Sequence, residues 1–317
     1  MIVSAVATPT GLQALEGHVE RDAVWVDVSA PTTAERVAVE HALGVVLPSR
    51  VRMRAIEPSD QLIAASGRLE MTFSGVATGR SDPPVPIACI LTGSQLITVH
   101  DSRLNPLDTT RDFISSHPQA APHDIFLMIV EETIDEIGDR LEQLGGQIDA
   151  IAADIFGGRP AERRSTKRVH ALIKELGRYG TQIMRLQESL ASLQRLGVFI
   201  DQHHEQVVPH LSGRRGDLAL RADVRALSEF ADAVDSKIDF LLNAMLGMIA
   251  LDQNQIMMVL SLTAAMFLPA TLISSIFGMN FAVMPGLSWH HGFLMSIAAM
   301  VIASLVVWLI FRWRPWI

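Results

Sequence analysis

The sequence predicts an α+β protein in three parts: an N-terminal α/β domain over residues 1–120, a long-helix stalk region over 121–250, and a transmembrane hairpin over 251–317. Three observations lead to this prediction. Short apolar runs separated by turn-forming residues are typical of the first part. Apolar residues recur at helical spacing in the second. The third contains no Asp, Glu, Lys or Arg between Asp252 and Arg312.

Composition narrows the possible partners and compartments. The 317 residues carry a net charge of −8, which argues against a nucleic-acid partner. The single cysteine, Cys89, excludes a disulfide framework and is compatible with a reducing compartment. The first residues lack the basic start and long apolar core of a signal peptide, so we expect the domain before the hairpin not to be exported.

The α/β domain shows local signals for strands and one helix. Ala23–Val28 is predicted as a strand, and a helix is predicted to open near Pro31 with Thr32 or Thr33 as its N-cap. Residues 87–91 and 95–99 are apolar and flank Thr92-Gly-Ser94, which predicts a hairpin. The domain has no Gly-rich phosphate loop and no nucleophile–base pair, so we do not expect an enzyme.

Long helices are predicted over residues 125–156, about 161–201, and 218–277. The third would be roughly 90 Å long and needs partner helices to cover its apolar face. His203-His204-Glu205, after the second helix, permits two interpretations. These residues could ligate a metal, but adjacent residues on one backbone rarely point at one ion, so the alternative is a simple turn.

Two uncharged runs, about 254–277 and 292–311, are each long enough to cross a bilayer; Ile256 to Phe277 alone gives roughly 33 Å of helix. Arg312 and Arg314 follow the second run, whereas the connecting loop has no Lys or Arg. The positive-inside rule therefore predicts a cytoplasmic C-terminus, and two spans return the N-terminal domain to the same side.

One face of the first span is a candidate pore lining. At 100° per residue, about a third of the helix circumference collects a set of residues that is polar at its ends and apolar between them. This set comprises Asn254, Met257, Ser261, Ala264, Leu268, Thr271 and Ser275. A seam of small residues between helices is an equally good interpretation, since Ser261, Ala264 and Ala265 would suit it. Pro269 is expected to kink the span.

Several motifs carry a family resemblance. Residues 277–281 read Phe-Gly-Met-Asn-Phe, and 284–289 read Met-Pro-Gly-Leu-Ser-Trp. Together with residues 240–247, 252–254 and 23–27, they resemble the CorA family of magnesium and cobalt transporters, and its enterobacterial branch in particular. The resemblance covers nearly the whole chain and is loosest between about 50 and 220.

The resemblance implies a homopentameric funnel in the inner membrane that conducts divalent cations, principally Mg²⁺ and also Co²⁺ and Ni²⁺. Gly278, Met279 and Asn280 would form the selectivity filter, with Gly278 permitting a tight turn and Asn280 receiving the ion. Asn254 and Thr271 would be polar rings. The full predicted pore and gate set is Asn254, Met257, Leu260, Ala264, Leu268, Thr271 and Ser275, with Met257, Leu260 and Leu268 as apolar constrictions.

The family also implies that Mg²⁺ is a regulatory ion as well as the cargo, with no other cofactor. Candidate sensing carboxylates on the third helix are Asp223, Glu229, Asp232 and Asp235. A divalent cation between subunits would relieve the repulsion among them. The alternative is an ordinary solvated face of a long helix.

The loop departs from the enterobacterial pattern, because Ala282 and Gly286 stand where that branch has acids. His290 and His291 could replace them as ligands, and imidazole suits Zn²⁺, Ni²⁺ or Co²⁺ better than Mg²⁺. A zinc-type transporter of the same superfamily is therefore one alternative, and the two histidines are otherwise interfacial loop residues. A non-conducting, membrane-tethered oligomeric scaffold is the alternative from another class.

Overall fold

The computed structural model describes residues 2–8, 11–17, 19–55, 57–65, 67–77, 83–117, 119–157, 166–203, 215–279 and 289–313. The chain divides into two compact units, Met1–Leu242 and Asn243–Ile317. The first contains a sheet and long helices, and the second contains the apolar helical hairpin.

The sheet of the first unit is mixed. Its strands are β1 (Ile2–Thr8), β2 (Gly11–Glu16), β3 (Ala23–Ser29), β4 (Leu62–Ala65), β5 (Arg68–Gly75), β6 (Val85–Thr92) and β7 (Leu96–His100). Their spatial order is β2-β1-β3-β7-β6-β5-β4. The β3–β7 pair is parallel, and the other neighbouring pairs are antiparallel.

The helices of the described residues follow in chain order. They are α1 (Thr33–Leu43), α2 (Arg50–Met53), α3 (Pro58–Gln61), α4 (Asn105–Ser116), α5 (Pro122–Gly157), α6 (Thr166–His203), α7 (Arg215–Phe277) and α8 (Gly292–Trp313). The three predicted long helices are thus present as α5, α6 and α7.

The local signals in the α/β domain are confirmed. The predicted strand is β3, and Thr32 caps α1 by accepting from the backbone N–H of Glu35 while the Glu35 carboxylate accepts from the N–H of Thr32. The predicted hairpin joins β6 to β7, with the N–H of Thr92 donating to the carbonyl of Gln95 over 2.9 Å. Sequence reasoning missed β1 and β2.

Each face of the sheet is covered by helices. Because successive side chains point to opposite faces of a strand, Val26, Ile90 and Ile97 form one core with Val39 of α1 and Met53 of α2. On the other face, α6 packs against β5 and α5 against β6 and β7. The Ser192 hydroxyl of α6 also accepts the N–H of Ser74 over 2.9 Å.

Three helices of the first unit pack along one another. The buried residues Val224, Ala231 and Ile238 of α7 are spaced by seven, which is typical of supercoiled helix packing. Lys237 of α7 pairs with Asp149 of α5, and the Gln187 side chain of α6 donates to Asp232 over 2.8 Å. The first part of α7 therefore finds its partner helices within its own chain.

A buried polar network on β3 and β7 joins the sheet to α4. The Asp27 carboxylate, 2% exposed, accepts from Thr98 Oγ1 at 2.6 Å and from Arg111 of α4 at 2.9 Å. His100 Nε2 lies 3.1 Å from Asp27 Oδ1, and its Nδ1 lies 2.6 Å from the carbonyl of Ser102. Both of these partners are acceptors, which favours a proton on each ring nitrogen and thus the imidazolium form of His100.

The electrostatics of this network follow from its geometry. Burial opposes the ionisation of Asp27, but His100, Thr98 and Arg111 outweigh it and hold the pKa of Asp27 below its ordinary value. Burial likewise opposes the charge on His100, but the hydrogen bond and charge of Asp27 prevail and raise the pKa of His100. The His100 contribution to stability is therefore full below its ordinary pKa and is lost as pH rises through the raised value.

We predict that Asp27→Asn lowers the free energy of unfolding of the full chain by about 3 kcal/mol, because Arg111 and His100 lose their buried counter-charge. Thermal unfolding followed by circular dichroism measures the effect. Stability of the parent protein should also fall as pH rises above about 6.5 and through the raised His100 pKa, and the variant should lose this dependence. The exposed substitution Glu57→Gln is the control, and an equal loss in both variants would contradict the assignment.

Candidate ion-conduction site

The second unit holds the end of α7 and the whole of α8. Leu220–Phe277 and Gly292–Trp313 are long and apolar enough to cross a membrane by length and composition. Helices suit this role because all their backbone groups are hydrogen-bonded internally. The two predicted spans are thus present as helices, with α8 running two residues beyond the predicted 311.

Helix α8 covers one side of the α7 span. Ser304 of α8 donates its hydroxyl to the carbonyl of Met266 over 3.1 Å. The half-buried residues of α7 in this stretch are Leu262, Ala265, Met266, Pro269, Ala270 and Ile273. They recur every three to four positions, so they define one stripe of the helix that faces α8.

The predicted pore residues lie outside that stripe. Every one of them is exposed in the single chain: Asn254, Met257, Leu260, Ala264, Leu268, Thr271 and Ser275. Leu268 is 71% exposed, and it is separated from Met266 by two residues, or about 200° around the helix. The hairpin therefore leaves the candidate pore face open.

Thr271 and Pro269 both affect the hydrogen bonding inside α7. Thr271 donates its hydroxyl to the carbonyl of Phe267 over 2.8 Å, so only its oxygen lone pairs remain for other partners. Pro269 lies inside α7 and cannot donate to the carbonyl of Ala265. One backbone hydrogen bond of the helix is therefore absent beside the positions of Leu268 and Thr271.

The span ends at Gly278-Met279. The N–H of Gly278 donates to the carbonyl of Ser274 over 2.9 Å, and that of Met279 to the carbonyl of Ile276 over 3.3 Å. A Cβ at Gly278 would lie 3.1 Å from the Ser274 carbonyl oxygen. What favours glycine here is this close approach. Asn280, Ala282 and Gly286 lie outside the described residues.

Two histidines precede α8. His290 and His291 are exposed, and their ring centroids lie 5.0 Å apart in an edge-to-face arrangement. Among the described residues, no three His, Cys, Asp or Glu side chains gather where they could hold a metal ion. His203, from the other histidine motif, ends α6 and stacks on Phe199 at 4.5 Å, while His204 and Glu205 lie outside the described residues.

The four candidate sensing acids occupy separate environments on α7. Glu229 pairs with Arg225 at 3.0 Å, and Asp232 accepts from Gln187 of α6. Asp223 is exposed and Asp235 half-buried. Within the described part of one chain they do not gather into a metal site.

A second group of acids lies on α5. Partial burial, together with the carboxylates of Asp135 and Glu131, raises the pKa of Glu132. Asp135 stands three residues after Glu132, a spacing at which like charges on a helix destabilise one another. The signal available in the sequence was the run of acids at spacings of one to four residues.

The fold and the hairpin define a membrane protein with a large domain in front of two terminal spans, and comparisons with known proteins identify its family. The family described as "CorA-like Mg²⁺ transporter protein" matches residues 20–313, and the chain belongs to that family. The resemblance stated from the motifs is thereby confirmed.

Similar proteins cover almost the whole chain. "Magnesium transport protein CorA" of Sodalis glossinidius is 27% identical over 300 residues, covering 93% of this chain and 92% of the relative. The protein of that name from Salmonella typhimurium is 26% identical over 312 residues, covering 97% and 96%. The solved CorA magnesium transporter from Methanocaldococcus jannaschii matches with a TM-score of 0.82 at 16% identity, covering 100% of this chain and 99% of that one. The predicted fold class is confirmed by this match.

Proposed function

We propose that this protein is a divalent cation channel or transporter of the inner membrane, with Mg²⁺ as its principal cargo. The observation that carries the proposal is the exposed α7 face directly before Gly278-Met279-Asn280, which is polar at Asn254, Ser261, Thr271 and Ser275 and otherwise apolar. Family membership and the magnesium transport relatives support it.

The chemistry of this face suits a strongly hydrated ion. Mg²⁺ gives up its waters reluctantly, and neutral amide and hydroxyl oxygens can bond to its hydration shell without stripping it. A carboxylate ring would hold the ion more tightly and slow its release. The apolar residues Met257, Leu260 and Leu268 supply constrictions that close by dewetting.

One helix face cannot enclose a pore, so the proposal requires several copies of the chain. A ring of α7 helices would bury the exposed pore face against water and hydrated ions, and would place α8 on the outside. The homopentamer is the assembly that the family resemblance implies, and it turns each pore residue into a ring of five.

The orientation proposed has both termini in the cytoplasm. Arg312 lies at the end of α8 and Arg314 just beyond it, whereas residues 278–291 contain no Lys or Arg. Asn280 then faces the outside, and the large first unit faces the cytoplasm.

Mg²⁺ is proposed as the regulatory ion as well. The acids at Asp223, Glu229, Asp232 and Asp235 are candidates for an intersubunit site, since a divalent cation between chains would offset their mutual repulsion. On α5, the pKa of Glu132 is raised by partial burial and by the carboxylates of Asp135 and Glu131, which supports a role for acids on the long helices.

We predict that Asn280→Ala abolishes Mg²⁺ uptake into proteoliposomes while the oligomer stays assembled, because the amide oxygens that receive the ion are lost. Uptake is measured with a Mg²⁺-sensitive dye, and assembly by size-exclusion chromatography. Ser288→Ala, in the same loop, is the control and should keep normal flux. Undiminished uptake by the Asn280 variant would show that the filter lies elsewhere, and Zn²⁺ uptake without Mg²⁺ uptake by the parent protein would favour the zinc-type alternative.

We predict that neutralising Asp223, Glu229, Asp232 and Asp235 to their amides removes the protection from proteolysis that Mg²⁺ at about the millimolar level confers, the affinity expected of a loose carboxylate site. The loss of the Arg225–Glu229 pair should itself matter little, because exposed ion pairs contribute at most about 1 kcal/mol. Glu57→Gln with Asp60→Asn is the control. If the quadruple variant keeps its Mg²⁺-dependent protection, these acids are not the sensor.

A further inference from the structure

A shallow groove runs along the seam between α7 and α8 on one side of the hairpin. Its lining is almost wholly apolar, and the hydroxyl of Ser304 is already used on the Met266 carbonyl. The lining residues are Met266, Ala270, Met300, Val301, Ser304, Leu305 and Trp308. From Met300 to Trp308 the groove extends about 12 Å along α8.

A positively charged side chain, Arg312, lies at one end of the groove. The guanidinium of Arg312 lies 5.2 Å from the centroid of the Trp308 ring, within the range of a cation–π interaction. Arg312 stands four residues after Trp308 and therefore one turn further towards the membrane surface. The cation–π contact with Trp308 thus keeps the Arg312 guanidinium at the end of the groove.

In the part of the chain that the structure describes, no ion pair joins Arg312 to an acidic side chain. The hairpin contains one acidic residue, Asp252, which is half-buried and already takes part in another interaction. An anionic group beside Arg312 at this depth is therefore best supplied by another kind of molecule.

We propose that the groove binds a phospholipid with an anionic headgroup, from the leaflet on the C-terminal side of the hairpin. One acyl chain lies along the groove, and the headgroup phosphate and net negative charge lie against Arg312. Basic side chains at the ends of membrane helices attract anionic headgroups in this manner, and aromatic side chains lie at the same level. A neighbouring chain is the competing occupant, and it is disfavoured because the one acid of the hairpin, Asp252, is already engaged in another interaction.

Quenching of Trp308 by brominated lipid tests the proposal. Trp289, Trp313 and Trp316 are replaced by Phe in the full chain, leaving Trp308 and Trp25, which is 2% exposed in the sheet of the first unit. The protein is placed in phosphatidylcholine vesicles with a small fraction of brominated phosphatidylglycerol or, separately, brominated phosphatidylcholine. We expect the anionic lipid to be enriched at Trp308 about fivefold, as one basic contact near the surface provides.

Two variants and one control sharpen the result. Arg312→Gln should abolish the preference for the anionic lipid, and Ala270→Phe should reduce quenching by both lipids because it fills the groove. Val306→Phe, on α8 but outside the lining, should change neither. Equal quenching by the two lipids in the parent background would overturn the proposal. So would the absence of quenching by either, which would place a neighbouring chain in the groove.

Discussion

The cost of placing charge in hydrocarbon governs the second unit of this protein. A charged side chain at the centre of a bilayer is expensive, and lipid offers no partner for free backbone groups. Between Asp252 and Arg312 the chain accordingly carries no Asp, Glu, Lys or Arg, and its described segments there are mostly helical. An ion that crosses such a unit must be received by neutral oxygens, which is the chemistry that Asn254, Thr271 and Ser275 offer.

The two parts of helix α7 lie in different surroundings. Between Val224 and Ile238 its buried residues are Val224, Ala231, Val234 and Ile238, and the same stretch contacts α5 through Lys237 and α6 through Asp232. Beyond Asn254 its side chains divide into a stripe that faces α8 and a face that α8 leaves open. The element is one helix of 63 residues.

The α/β domain depends on a different interaction, the buried ion network at Asp27. This carboxylate joins β3 to β7 through Thr98 and His100, and to α4 through Arg111. Buried charges are tolerated only when they are fully paired. The network therefore selects one register of the parallel pair and one position of α4 on the sheet.

Sequence reasoning reached the elements with strong local signals and missed those that depend on tertiary pairing. Local signals were sufficient to predict α1 from its N-cap at Thr32, the β6–β7 hairpin from its turn at Thr92, and the three long helices from their apolar periodicity. Strands β1 and β2 have no comparable signal: β1 pairs with β3, and β2 pairs with β1 at the edge of the sheet. Likewise, only the packing of the helices shows that Met266 and Ala270 face α8. Only the structure shows that Glu229 forms an ion pair, whereas burial and neighbouring carboxylates raise the pKa of Glu132.

Adjacent cysteine substitutions on α7 test the central claim, that the face left open by α8 lines the ion path. The native Cys89 is buried, so an introduced thiol is the reactive one. In proteoliposomes, a membrane-impermeant thiol reagent should block Mg²⁺ uptake by Thr271→Cys and leave Ala270→Cys unaffected, because residue 270 faces α8 and residue 271 lies on the face that α8 leaves open. Block of the Ala270 variant alone, or of neither, would contradict the account.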